Sequence, residues 1–213
     1  MALHELRTGG EHEVVALLTT ITEDYDRISM HGIRRALVEE QALRIGLPLE
    51  TVYITKDASN EDYEARMREM LTRYREEGIS LVAFGDIFLE EVRKYREDNL
   101  AKVAMKGLFP LWKRDTAVLA RAFIMAGFKA IITCVDTHQL DGSFAGRSFD
   151  ESFLAELPPS VDPCGENGEF HSFVYDGPIF PKPIACTVGE VVLRNERFSY
   201  CDVLPVSGER VSV

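Results

Sequence analysis

Four short apolar runs rich in β-branched residues constrain the fold of this chain more than any other feature. They are VVALLTT from Val14, TVYIT from Thr51, SLVAFGD from Ser80 and AIITCVD from Ala130. Each run predicts a strand that is buried on both faces, and helical stretches separate the runs. Strands that alternate with helices favour an α/β fold with a doubly wound, mainly parallel, Rossmann-like sheet.

The clearest helical stretch extends from Asn60 to Glu77. Apolar residues recur there at helical spacing, and Gly78 follows the end. The same pattern predicts helices from about Met30 to Ile45 and from Thr116 to Ala126.

The pattern changes at about Gly142. The sequence becomes turn-rich, with six prolines between positions 158 and 183, and strand-like runs such as VVLRNERFSY follow. We therefore predict an α/β domain at residues 1–141 and a smaller C-terminal lobe at residues 142–213.

Composition and charge narrow the class of protein. The 213 residues carry a net charge of −11 at pH 7, with a pI near 5.0, whereas binding to a phosphate backbone needs a dense basic face. The four cysteines form no C-x-x-C pair to hold zinc, and neither a signal peptide nor a membrane span is visible. We expect a cytoplasmic protein with reduced thiols that binds neither nucleic acid nor membranes.

Polar residues stand where two of the predicted strands end. Thr19 and Thr20 end the first run, and Gly85 and Asp86 end the third. Ligands of open α/β sheets bind at the carboxyl ends of the strands. These four residues are therefore candidate ligand contacts, although polar residues are also ordinary in loops.

A basic segment follows the second of these strand ends. Residues 93–114, beginning with Arg93, contain seven basic and two acidic residues, which is a net charge of +5 in an acidic chain. Such a segment could steer and clamp an anionic ligand such as a polyphosphate. The alternative is the solvated face of a helix.

The segment DPCGENGEFHSF, residues 162–173, concentrates the candidate chemistry of the C-terminal lobe. Two glycines would let the backbone approach a ligand, and Glu166, Asn167, Glu169 and His171 lie close together in the sequence. Carboxylates in this setting could bind ammonium, ligate Mg²⁺ or act as a general base. The alternative is an ordinary turn, and no metal site is predicted because matched ligand pairs do not occur.

These pieces together resemble the diphthine–ammonia ligase family of the PP-loop, or N-type ATP pyrophosphatase, superfamily. The resemblance covers nearly the whole chain. It is carried by LLTT with the later Met30–His31 pair, FGDI (Phe84–Ile87) leading into EEVRKYRE, FPLW (Phe109–Trp112) and DPCGENGEF. It implies an adenine nucleotide alpha hydrolase-like domain that activates a carboxylate with ATP and Mg²⁺. Ammonia would then attack the acyl-adenylate, which is the reaction of an amide-forming ligase.

The resemblance also implies roles for individual residues. Glu166 and Glu169 would be catalytic, serving the acceptor or ammonia side. With the strand-end and basic residues above, the set expected to contact nucleotide or substrate is Thr19, Thr20, His31, Gly85, Asp86, Ile87, Arg93, Asn167 and Gly168. The implied acceptor is diphthine, a modified histidine, but GENGEF differs from a GEGGEY-like form and leaves another carboxylate open.

One part of the family pattern has no counterpart in the 213 residues. It is the glycine-rich S-G-G-K-D-S type loop that cradles phosphates at a helix N-terminus. MALHELR resembles the tail of the helix after that loop, ended by Gly9 and Gly10. We expect Met1 to be an internal methionine of a longer protein, whose first strand lies between the strands near Val14 and Ser80. Genuine loss of the loop in a non-catalytic paralogue is the alternative.

Two other functions stay open at this point. A nucleotide- or metabolite-binding module without catalysis is the first, and a thiolase or sulfurtransferase of the same superfamily is the second. The second would need a reactive cysteine pair, which the sequence does not show. The absent strand would leave the strands near Val14 and Ser80 with unpaired edges. Such edges pair readily with another chain, so a homo-oligomer is among the expected states.

Overall fold

The computed structural model describes residues 1–206 of the chain. The helices are α1 Ala2–Gly9, α2 Arg35–Ile45, α3 Asn60–Glu76, α4 Glu90–Ala101, α5 Thr116–Met125 and α6 Glu151–Glu156. The strands are β1 Leu17–Thr22, β2 Arg27–Ile28, β3 Leu49–Ile54, β4 Leu81–Ala83, β5 Lys106–Leu108, β6 Lys129–Asp136, β7 Phe170–Asp176, β8 Cys186–Arg194 and β9 Phe198–Pro205. Short 3₁₀ turns lie at Glu23–Tyr25 and Gly142–Phe144.

The strands of this range form three separate sheets. β1 pairs in parallel with β3, and the short β2 pairs antiparallel with the end of β1. β4 and β5 form a two-stranded parallel pair. The C-terminal sheet is antiparallel, with the strand order β7-β6-β9-β8. The protein is therefore a mixed α/β structure with both parallel and antiparallel sheets.

The positions of the predicted strands agree with the structure better than their pairing does. The run from Ala130 forms β6 and is buried throughout residues 130–136. However, β6 pairs antiparallel with β7 and β9. A continuous apolar run indicates that both faces of a strand are covered, and it carries no information about strand direction. A single doubly wound, mainly parallel sheet is therefore not confirmed.

The helix predictions agree best where a cap is present. Ser59 accepts a hydrogen bond from the Asp62 N–H, and the Asp62 carboxylate accepts one from the Ser59 N–H, so α3 begins with a capping box. The helix predicted from Met30 begins only at Arg35. Met30 and Gly32 have φ values of 66° and 71°, which an α-helix does not include.

The larger core lies against the two faces of the C-terminal sheet. One face carries a cluster of aromatic side chains that includes Phe149, Phe153 and Phe170. Ile33 and Leu37, from the loop before α2 and from α2 itself, pack on the other face. Packing thus crosses the predicted division between residues 141 and 142, which stays a prediction. Residues 207–213 of the predicted C-terminal lobe lie outside the described residues.

Candidate functional site

The segment from Asp162 to Phe170 folds into a tight loop around the side chain of Glu169. Glu169 is only 1% exposed. Its carboxylate accepts hydrogen bonds from the backbone N–H of Asp162 at 2.9 Å, from the backbone N–H of Asn167 at 3.0 Å and from the Asn167 amide at 2.9 Å. These donors compensate the carboxylate for its removal from water. Glu169 therefore organises the loop from the inside.

Asp162 fixes the beginning of the same loop. Its carboxylate accepts hydrogen bonds from the backbone N–H groups two and four residues later, both at 3.0 Å. Gly165 is required at the turn, because its φ is 69° and a Cβ there would lie 2.7 Å from the carbonyl oxygen of Phe170. Gly168 also has a left-handed φ, of 82°, and Asn167 before it is exposed.

Glu166 joins this loop to the predicted ligand-binding segment after β4. Its Oε1 accepts hydrogen bonds from the backbone N–H of Ile87 at 2.6 Å and of Phe88 at 3.3 Å. Glu166 and Ile87 are 79 residues apart in the chain. The contact brings the two segments together, and we call this meeting of Glu166 with Ile87 and Phe88 the first junction.

Asp86 lies next to the first junction beneath an arginine. Its side chain is 9% exposed, and the Arg96 Nε lies 3.1 Å from Oδ1 and 2.9 Å from Oδ2. Only the contact with Oδ1 has hydrogen-bond geometry, so Oδ2 is a buried acceptor without a donor. The Arg96 guanidinium also lies over the ring of Phe84, 4.5 Å from its centroid. Asp86 is held rigidly, whereas the neighbouring Gly85 is exposed.

Arg93 packs against two aromatic rings of the FPLW segment. Its Cζ lies 4.6 Å from the ring centroids of both Phe109 and Trp112, and its Nε donates to Glu97. Six of the seven basic side chains in residues 93–114 have a carboxylate partner at 3.6 Å or less. Most of the positive charge is therefore neutralised locally, and the binding role of Arg93 stays a prediction.

The other predicted residues lie at a second junction, where the loop carrying His31 meets the C-terminal sheet. Thr19 and Thr20 lie inside β1, which continues two residues beyond its predicted end. The Thr20 carbonyl accepts a hydrogen bond from the Ser29 N–H at the start of that loop. The imidazole rings of His31 and His171 have centroids 4.4 Å apart, although His31 as a whole residue is exposed.

The two histidines meet as neutral rings. Withdrawal of its ring from water, and then the neighbouring His171, lower the pKa of His31 to about 4. Burial also lowers the pKa of His171. Because burial disfavours the charged form of both rings, the neutral pair could donate and accept hydrogen bonds to a ligand at neutral pH.

Two arginines fix the His31 loop to β9. The Asp202 carboxylate accepts hydrogen bonds from Arg27 at 2.9 Å and from Arg34 at 3.0 and 2.6 Å. These hydrogen bonds lower the pKa of Asp202 to about 2. Gly32 lies against the ring of Tyr200, and a Cβ at this glycine would be 2.7 Å from the Tyr200 Cδ1. The loop is therefore held by charge and by close packing.

A cavity of about 150 Å³ opens beside the first junction. Its lining includes Ile87 together with Cys164, Phe170 and Ser172. Its walls are mainly apolar, so it suits an apolar part of a ligand better than a charged one.

The cysteines do not supply reactive thiolates. All four are free, and burial raises the pKa of each thiol, to about 11 for Cys134 and to about 12 for Cys164. A thiol that stays protonated at neutral pH is a poor nucleophile.

Two parts of the site were not predicted from the sequence. Asp162 anchors the loop, and its position before Pro and Gly is a turn signal that could have revealed this role. The sequence shows His171 only as one member of a polar cluster. No local pattern could have paired it with His31, because the pairing depends on how the loop packs on the sheet.

No group of three or more His, Cys, Asp or Glu side chains in residues 1–206 is placed to hold a metal ion. No helix in the same range has the length and apolar character needed to cross a membrane.

The fold and the site define a class of mixed α/β protein. In this class a C-terminal loop, organised here by the Glu169 carboxylate, contacts the segment that follows the parallel strand β4. Family models of diphthamide synthase match both parts. The model of the N-terminal domain matches residues 1–107, and the model of the C-terminal domain matches residues 115–203. The chain belongs to the diphthamide synthase family.

Curated relatives of the chain are named diphthine–ammonia ligase. The Danio rerio protein is 28% identical over 206 residues, which cover 87% of this chain and 81% of the relative. The Mus musculus protein is 32% identical over 182 residues, which cover 82% of this chain and 67% of the relative. The Schizosaccharomyces pombe protein is 28% identical over 203 residues, and the match spans only 33% of its length. These relatives support membership of a ligase family.

Proposed function

We propose that the chain acts in ATP-dependent amide formation on diphthine or another carboxylate. In this reaction the carboxylate attacks the α-phosphorus of ATP, pyrophosphate leaves and an acyl-adenylate forms. Ammonia then attacks the acyl carbon, AMP leaves and one proton is released. The contact between Glu166 and the Ile87 N–H carries the proposal, because it joins the two segments that resemble the family. The name shared by the relatives supports the reaction class.

The residues of both junctions fit the acceptor side of this reaction. The Asp86 carboxylate, although it is paired with Arg96, places negative charge beside the first junction, which suits an ammonium or amine N–H nearby. The cavity beside Ile87 suits the apolar part of the acceptor. His31 and His171 offer neutral hydrogen-bonding groups. Glu166 and Glu169 support this side by shaping the loop, since their carboxylates already accept N–H donors.

The residues described do not fit the phosphate side of ATP. Gly9 and Gly10 end α1, where Gly10 has a φ of 67° and donates to the Leu6 carbonyl. The carbonyl end of a helix disfavours phosphate. Residues 1–206 also offer no dedicated ligand group for Mg²⁺. The described residues therefore supply no group that would hold the phosphates, and the family relationship alone supports the attack on ATP and the doubly wound nucleotide-binding arrangement.

A second candidate is a nucleotide- or metabolite-binding protein without catalysis. One observation favours it: the carboxylates of Glu166 and Glu169 are both engaged by N–H groups. A thiolase or sulfurtransferase is disfavoured, because the pKa of Cys164, the thiol at the cavity, is raised to about 12.

Pyrophosphate release separates the two candidates. We expect the 213-residue chain to bind ATP weakly by isothermal titration and to release no detectable pyrophosphate with ammonium and a diphthine-bearing protein, because its sequence contains no glycine-rich phosphate loop. A version extended at its N-terminus by a strand and an S-G-G-K-D-S type loop should release pyrophosphate. Equal release by both proteins would contradict this assignment of phosphate binding, and release by neither would favour the binding protein.

Two glutamine variants of the extended protein test the loop. Glu169→Gln should reduce amide formation by about 10–100-fold, because its amide nitrogen would face the N–H donors that the carboxylate now satisfies and the loop would lose its shape. Glu166→Gln should have a smaller effect, and the exposed Glu77→Gln is the matched control.

The melting temperature of the same variants distinguishes the roles of Glu169. Loss of turnover together with a lower melting temperature indicates that Glu169 shapes the loop. Loss of turnover at an unchanged melting temperature indicates direct catalysis. Normal turnover in both loop variants would remove the GENGEF loop from the active site.

A further inference from the structure

The strand β8 forms one outer edge of the C-terminal sheet. β9 lies on one side of it, and no strand of residues 1–206 pairs with the other side. An edge of this kind presents unpaired backbone N–H and C=O groups. Val188, Val191 and Leu193 on this strand are 47%, 45% and 56% exposed. The edge is therefore both unpaired and apolar.

We propose that β8 pairs antiparallel with β8 of a second copy of the chain, about a two-fold axis at Val192. In this register Val191 lies opposite Leu193 of the second copy, and Glu190 lies opposite Arg194 of the second copy. Symmetry repeats each pair once. Aliphatic pairs and opposite charges directly across neighbouring strands both stabilise a sheet.

The two charges select this register over its neighbours. Glu190 and Arg194 are exposed, and neither has an ion-pair partner in the described part of the chain. An axis at Leu193 would place Glu190 opposite Glu196 of the second copy, and an axis at Val191 would place it opposite Val192. Registers shifted by an odd number of residues would place the apolar face of one β8 strand beside the polar face of the other. The edge of β8 is thus self-complementary in one register.

Two local features limit the length of the pairing. A bulge interrupts β8 between Val188 and Val191, and the turn to β9 begins at Asn195, where the backbone φ is 51°. Bulges twist an edge away from an approaching strand. Pairing is therefore confined to about residues 190–194, and the dimer forms reversibly with rising protein concentration.

Analytical ultracentrifugation of the full chain tests this interface. The mass should rise with concentration from 24.0 kDa toward twice that value. Glu190→Arg and Arg194→Glu should each raise the dimer Kd about tenfold, since two attractive pairs become repulsive. The double variant should restore dimerisation, because the same pairs form again with the charges exchanged. Glu77→Arg, a charge reversal away from β8, should leave the Kd unchanged.

Two results with the wild-type chain and the charge-reversal variants would contradict the proposed dimer. A wild-type chain that stays at 24.0 kDa at every concentration contradicts it, and so does a dimer that the single variants do not weaken. The latter result would place the interface elsewhere, for example at the edge of β3 or of β4. Leu193→Lys, at a position 56% exposed, provides a second disruptive variant if either charge variant folds poorly by circular dichroism.

Discussion

The parts of the molecule before and after residue 115 are packed very differently. Of 30 buried apolar residues in the described chain, 20 lie between residues 119 and 203, and 10 lie between residues 21 and 111. β6 is buried over seven successive residues, from Ala130 to Asp136, whereas β4 has three residues and its Leu81 is 38% exposed. The C-terminal sheet therefore supplies most of the buried core, and the N-terminal part supplies thinly covered segments of the site.

The largest decrease in the free energy of unfolding is expected when the most buried aromatic side chain is removed. Phe153 is fully buried and packs against Phe144, Phe149 and Phe170. Phe153→Ala should lower the free energy of unfolding by about 3–5 kcal/mol, because it removes apolar contacts and leaves a cavity. Guanidinium unfolding followed by circular dichroism measures this change.

Truncation of a buried side chain in the N-terminal part should lower the free energy of unfolding by a smaller amount. Leu71 lies in a small cluster with Leu100 and Met105. Leu71→Ala should lower the free energy of unfolding by about 2–3 kcal/mol, at the low end for such changes, because the thinner surroundings can relax. If this variant were as destabilised as Phe153→Ala, the contrast between the two parts would be wrong.

The ion pair that ties the two parts together should depend on pH. Asp202 ordinarily has a pKa near 4, and its lowered value of about 2 corresponds to roughly 2 kcal/mol. Because the folded state favours the ionised form, this stability is fully present above the unfolded pKa and is lost as the pH falls toward 2. Asp202→Asn should therefore destabilise the protein by about 2 kcal/mol at pH 7, with the difference shrinking between pH 4 and pH 2. A difference that stays constant over that range would show that the carboxylate charge is not its source.

The smallest change in the free energy of unfolding is expected when an ion pair on the surface of α4 is removed. Lys94 and Asp98 form an ion pair at 2.6 Å, but their side chains are 75% and 60% exposed. Lys94→Ala should change the free energy of unfolding by less than about 0.5 kcal/mol, since water and salt screen such pairs. Urea unfolding at low and high salt measures it, and a large salt-dependent change would show that the basic segment stabilises the N-terminal part.

Local signals in the sequence predict some of these features and not others. The capping residue Ser59 predicts the start of α3, and the apolar run from Ala130 predicts a buried strand. The direction of β6 depends on partners far along the chain, so a local pattern does not contain it. Glu169 belongs to a recognisable loop, but the sequence does not say whether its side chain points outward or inward. The N–H groups of Asp162 and Asn167 decide that question by surrounding it.

The contact between Gly32 and Tyr200 limits how relatives of this chain can diverge. Any side chain at position 32 would meet both a backbone φ of 71° and a ring 2.7 Å from its first carbon. Substitution there becomes accessible only after position 200 has lost its ring, and even then asparagine or aspartate suits the backbone best. A substitution at position 200 must therefore precede one at position 32. Among relatives, the residues at these two positions should covary although they lie far apart in the chain.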